Sequence, residues 1–86
     1  MTDQLLLRRL REDVADIVSR QRREDAANGV PPMSSEDERQ FGRAVISRVL
    51  ETHARTEMAG GRTPPTMEEE AELADGIHAA LFGVGR

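Results

Sequence analysis

Eighty-six residues with a formal net charge of −4 and no cysteine describe one small domain with neither a disulfide framework nor a thiolate metal site. A core of this size rarely supplies more than about 3–5 kcal/mol, so a conventional enzyme is excluded and some dependence on a larger parent is expected. The acidic balance argues against general nucleic-acid affinity, and with Phe41 and Phe82 as the two aromatics the core must come from Leu, Ile, Val, Ala and Met.

The chain opens on Leu5, Leu6 and Leu7, followed at once by Arg8 and Arg9. That run is too short for a signal peptide or for a membrane span of about 20 residues, so the expectation is a soluble protein without direct membrane insertion. A domain without cysteine staples also suits the cytosol.

A first helix is predicted over residues 3–27, with Thr2 or Asp3 as N-cap. Leu7, Leu10, Val14, Ile17 and Gln21 recur at steps of three and four, which sets them on one core stripe with Leu6 and Val18 at its edges. Leu5 falls on the opposite side, among Arg8, Arg9, Glu12, Asp16, Arg20 and Arg23. Such a face is either a solvated charged surface or a docking surface. If it docks a partner, Leu5, Arg9, Arg20 and Arg23 are the candidate residues.

Asn28 and Gly29 end this helix because both tolerate a left-handed backbone, and Pro31 and Pro32 bar its continuation. Ser34 and Ser35 each stand three residues ahead of a carboxylate, Asp37 or Glu38, so either can open a second helix through a capping box. This helix, over 35–59, is the one the bundle is expected to form around. At about 100° per residue, Phe41, Val45 and Val49 make one apolar stripe while Ile46, Leu50 and His53 make another beside it. Two apolar faces require two packing partners.

Gly60 and Gly61 stop the second helix, Pro64 and Pro65 block its extension, and Thr66 with Glu69 repeats the capping signal. The third helix, 67–82, presents Leu73, Ala74, Ile77 and Leu81, widened by Met67, Ala71 and Phe82, and Gly83 and Gly85 close it. Glu68, Glu69, Glu70, Glu72 and Asp75 crowd its first half, where the helix dipole favours negative charge. Linkers this short join antiparallel neighbours. The expected fold is therefore all-α, an antiparallel three-helix bundle running up, down, up with Pro-Pro-containing linkers, as a single domain over 1–86.

Few residues point to chemistry. His53 and His78, each at the flank of an apolar arc, are expected as satisfied, half-buried side chains. A zinc site would need a third ligand, and Glu57 and Asp75 are the available ones. Ser34 and Ser35 are used as caps, the carboxylates are expected to face water, and the glycines at 83 and 85 lack the lysine and hydroxyl of a P-loop. A DNA-reading helix would have to be basic, whereas the first helix mixes charges and the third is acidic. No catalytic, cofactor-binding or metal-binding residue is assigned.

The segment Ile77-His78-Ala79-Ala80-Leu81-Phe82-Gly83-Val84-Gly85-Arg86, together with Ser35 to Phe41, Glu51 to Arg55 and the Pro-Pro-Thr-x-Glu-Glu-Glu run at 64–70, carries a resemblance. It resembles the N-terminal helical domain of CpaF-type (Tad pilus) ATPases of the type II/IV secretion superfamily, actinobacterial branch. The resemblance implies an excised N-terminal fragment with a docking or regulatory role in a hexameric ATPase that drives pilus assembly or secretion. It also implies partners: the rest of the ATPase and neighbouring subunits, and inner-membrane platform or pilus-localising proteins at the cytoplasmic face of the membrane. No Walker A, Walker B, Asp-box or His-box residue of that family has a match here, so ATP and magnesium belong to the parent. The alternative from another class is a free-standing helical regulator, including a DNA-binding one.

Overall fold

A computed structural model describes residues 4–83. They form three helices, α1 (Gln4–Ala27), α2 (Ser35–Ala59) and α3 (Met67–Phe82), each in contact with the other two, and no strand is present among the described residues. The expected N-cap of α1 at Thr2 or Asp3, the start of that helix at residue 3, and Gly85 as a terminator lie outside the described residues.

Both linkers fold by one recipe. After α1, the Gly29 N–H donates to the Ala26 carbonyl at 3.2 Å and the Val30 N–H to the Asp25 carbonyl at 2.8 Å. After α2, the Gly61 N–H donates to Met58 at 3.1 Å and the Arg62 N–H to Glu57 at 2.8 Å. This paired closure requires a left-handed residue just past the helix, and Gly29 (φ 74°) and Gly61 (φ 76°) supply it. The helix starts are less alike. Thr66 and Glu69 form the full reciprocal capping box, with bonds of 3.0 and 3.2 Å. Ser34 caps α2 through its hydroxyl, which accepts from the Asp37 N–H at 3.1 Å.

The helices run up, down, up. Arg22 near the end of α1 pairs with Glu38 in the first turns of α2, and the last turn of α3 lies beside Ser35, Glu38 and Arg39 at that same end. The core is Leu10, Val14 and Val18 from α1, Val45, Ile46 and Leu50 from α2, and Leu73 and Ile77 from α3. Leu6, Leu7, Phe41, Val49, Ala74, Leu81 and Phe82 pack partly buried around it.

Two glycines set how closely α3 approaches. A Cβ on Gly42 would lie 2.9 Å from Phe82 Cδ2 and closer still to other atoms of that ring. A Cβ on Gly76 would meet Leu7 Cδ1 at 3.3 Å. The Phe82 ring therefore occupies space that any other residue at position 42 would fill, which fixes the end of α3 against the start of α2.

Five core assignments, at Ile17, Val18, Gln21, Met67 and Ala71, need correction. Ile17, expected on the central stripe of α1, is 37% exposed, while Val18, expected at the edge, is 5% exposed. The contact between Leu7 and Gly76 draws α3 to the Val18 side, so the sealed stripe runs through Leu10, Val14 and Val18. Gln21 is half-buried and donates along its own helix to Asp25 Oδ1 at 2.9 Å. In α3, Met67 is 87% exposed and Ala71 is exposed too. Met67 shares the angular position of the buried His78, so its exposure comes from its place along the axis.

Candidate functional site: the groove between the first two helices

An antiparallel helix pair has two broad faces. Here α3 seals one face, and the other stays open as a groove with a volume of about 570 Å³. Its apolar floor is Leu10 and Ile17 from α1 with Val49 from α2. The α1 rim carries Arg9, Asp13, Asp16 and Arg20, and the α2 rim carries Arg48, Thr52 and Thr56. A second recess of about 430 Å³, lined by Leu5, Leu6, Arg9, His53 and Glu57, adjoins it at the start of α1. Arg9 and His53 belong to both, so the two form one trough from Leu5 to Arg20, roughly 22 Å of helix at 1.5 Å per residue.

Of the four residues expected to form a docking face, the structure brings three to this trough. Arg9 and Arg20 border the main groove, and Leu5, at 75% exposed, lines the adjoining recess. Arg23 is exposed and lines neither. The residues that sequence reasoning missed are Ile17, Asp13 and the whole α2 rim. A signal for the α2 rim existed, because Arg48 and Thr52 flank the stripe of Val45 and Val49 at helical spacing. Nothing in the one-dimensional pattern said that this flank would meet the Arg9 and Arg20 edge of α1.

Among the described residues the rim charges have no ion-pair partner. Glu51 and Arg55 of α2 close an i,i+4 ion pair at 2.6 Å, and Arg62 reaches Glu57 at 2.5 Å. Among the described residues no ion pair uses Arg9, Asp13, Asp16, Arg20 or Arg48, although Arg9 and Asp13, and Asp16 and Arg20, have the same i,i+4 spacing.

The histidines are more buried than expected, each at 9% exposure. His53 sits under the recess with Nδ1 4.0 Å from Glu57 Oε1. His78 packs against Phe82, with ring centroids 5.2 Å apart, and its Nε2 is buried without a hydrogen-bond partner among the described residues. His78 therefore lies beside the contact of Phe82 with Gly42, whereas His53 lines the recess between α1 and α2. Gly42 and His53 are roughly 16 Å apart along α2. Among the described residues no group of three or more His, Asp or Glu is placed to hold a metal ion.

Glu69, at the far end from the groove's Arg20, has its carboxyl held below the usual carboxylate range. The backbone and hydroxyl hydrogen bonds of Thr66 are the cause. Among the described residues no helix is long and apolar enough to cross a membrane. Comparison with protein-family models, with curated proteins and with solved structures finds no match for this chain.

Proposed function

We propose that this chain is a non-catalytic docking module that holds a protein partner in the α1–α2 groove. The observation that carries the reading is Ile17, a large aliphatic side chain 37% open to solvent in the middle of a trough whose rim charges are unpaired among the described residues. An open apolar floor with a polar rim is the pattern of a surface that another helix covers. The resemblance at 77–86 supports the finer reading, an N-terminal domain of a CpaF-type secretion ATPase. On that reading the parent hydrolyses ATP with magnesium outside these residues, and this domain meets neighbouring subunits or membrane-platform and pilus-localising proteins at the cytoplasmic face.

The test uses an ATPase of that type carrying this domain. Reversing Arg9 and Arg20 to Glu should leave basal ATP hydrolysis unchanged and lower partner-stimulated hydrolysis by about tenfold, the effect of losing two charge contacts at a rim. Stimulation equal to that of the unaltered protein would remove the groove from the account. A rise in melting temperature of the 86-residue chain with magnesium and ATP would overturn the non-catalytic assignment.

A further inference from the structure

The exposed edge of α1 is complementary to itself. Reading along it toward the C-terminus, Arg9, Asp13, Ile17, Arg20 and Glu24 follow one another at steps of four, four, three and four, which keeps them on one face of the helix. Laid antiparallel against a second copy, with the two-fold axis between Asp16 and Ile17, this row sets Arg9 of one chain against Glu24 of the other and Asp13 against Arg20. Each pairing occurs twice. Ile17 lies next to the axis, and Leu6 faces Ala27 at each end. The register about one turn away, which sets Arg9 against Arg20, brings like charges together and is disfavoured. A patch that matches itself under a two-fold rotation is what an isologous dimer requires.

We infer that the α1 edge of the groove is a self-association surface whose occupant is a second copy of this chain, paired antiparallel through Arg9–Glu24 and Asp13–Arg20. The inference rests on reading the groove as a docking surface and names the partner. Three observations support it beyond the charge pattern. The four charged residues make no ion pair within their own chain among the described residues, whereas Glu51–Arg55 at comparable spacing does. Ile17 is 37% exposed at the point where the axis passes. The row from Arg9 to Glu24 spans roughly 22 Å, long enough for about four turns of a neighbouring helix. A four-helix layer results, with α1 of each copy packed against α2 of its own chain and α1 of the other.

Sedimentation equilibrium of the 86-residue chain, from about 10 μM to about 1 mM in about 50 mM salt, tests this directly. The unaltered chain is expected to form dimers that weaken as salt is raised. R20E should raise the dissociation constant by at least about tenfold, because two symmetry-related contacts become repulsive. The swap D13R/R20E should restore self-association and yet fail to pair with the unaltered chain, and circular dichroism should show all variants equally helical. A chain that stays monomeric to 1 mM overturns the self-pairing, and so does a dimer indifferent to R20E or a swap that does not restore pairing. R9E/R20E alters the self-pairing row as well, so R48E, on the α2 rim and outside that row, is the ATPase variant that reads the groove by itself: stimulation lost in R48E with no self-association of the chain leaves the groove standing without the dimer, and stimulation kept in R48E with self-association leaves the dimer without the groove.

Discussion

Ile17 and Val18 are neighbours in sequence, both β-branched and both on the apolar side of α1, yet one is 37% exposed and the other 5%. The difference comes from α3. On the Val18 side, the Leu7 side chain reaches Gly76 and the core closes over Val14 and Ile77, both at 0% exposure. On the Ile17 side α2 supplies Val49 and then stops, and charged and hydroxyl-bearing rims take over. The lesson is that one helix can be core on one edge and surface on the other. Which edge is which depends on where the third helix lands.

The comparison breaks most severely on the sealed side. Ile77→Ala should cost about 3 kcal/mol, enough to unfold most of a domain this small, and would be read as lost helical signal at 25 °C. Gly42→Val should cost about 2 kcal/mol by displacing the Phe82 ring. In the Phe82→Ala background the same change at position 42 should cost less than half as much, and chemical denaturation of the four chains would show that coupling. A matched pair sharpens the contrast between the edges: Val18→Thr buries a hydroxyl and should cost about 2 kcal/mol, whereas Ile17→Thr, with water at hand, should cost under about 1 kcal/mol. Equal losses would mean that the groove is closed.

The smallest effects belong to the helix starts. Thr66→Ala should cost about 1 kcal/mol and Ser34→Ala somewhat less, since Thr66 takes part in a reciprocal box and Ser34 supplies the hydroxyl half. Glu69 gives the first of these a pH signature. Its folded pKa is lowered, so its stabilising contribution is complete above the ordinary carboxylate range and is lost as the pH falls through the lowered folded value. Glu69→Gln should remove that part of the acid-side loss of melting temperature, whereas Thr66→Ala keeps the backbone N–H that bonds the carboxylate and should remove only the hydroxyl's share.

The helix spans, their order and the linkers were legible in the sequence because each rests on local chemistry. Gly29 and Gly61 take the left-handed backbone, Pro31, Pro32, Pro64 and Pro65 follow, and Ser34 and Thr66 cap what comes next. Facts that need a second helix were not legible. Periodicity gave α1 an apolar arc wide enough to include both Ile17 and Val18 and held no information about the contact at Gly76 that divides them. Met67 repeats the angle of His78, yet it is 87% exposed where His78 is buried. His53 shares a stripe with Ile46 and Leu50, and the spacing does not say which helix that stripe meets; in the bundle His53 lines the α1 trough. The candidate site was half legible for the same reason. Arg9 and Arg20 stood out as a charged edge of one helix, while Arg48 and Thr52 joined them only once α2 lay alongside.

Thiol labelling most directly tests the division of α1 into a sealed and an open edge, because the chain has no cysteine of its own. Ile17→Cys and Val18→Cys would each be exposed to a thiol reagent under native conditions and again in denaturant. The division predicts that position 17 reacts within a few-fold of its unfolded rate, while position 18 reacts at least about a hundredfold more slowly because it must wait for the bundle to open. Equal native rates at the two positions would contradict it.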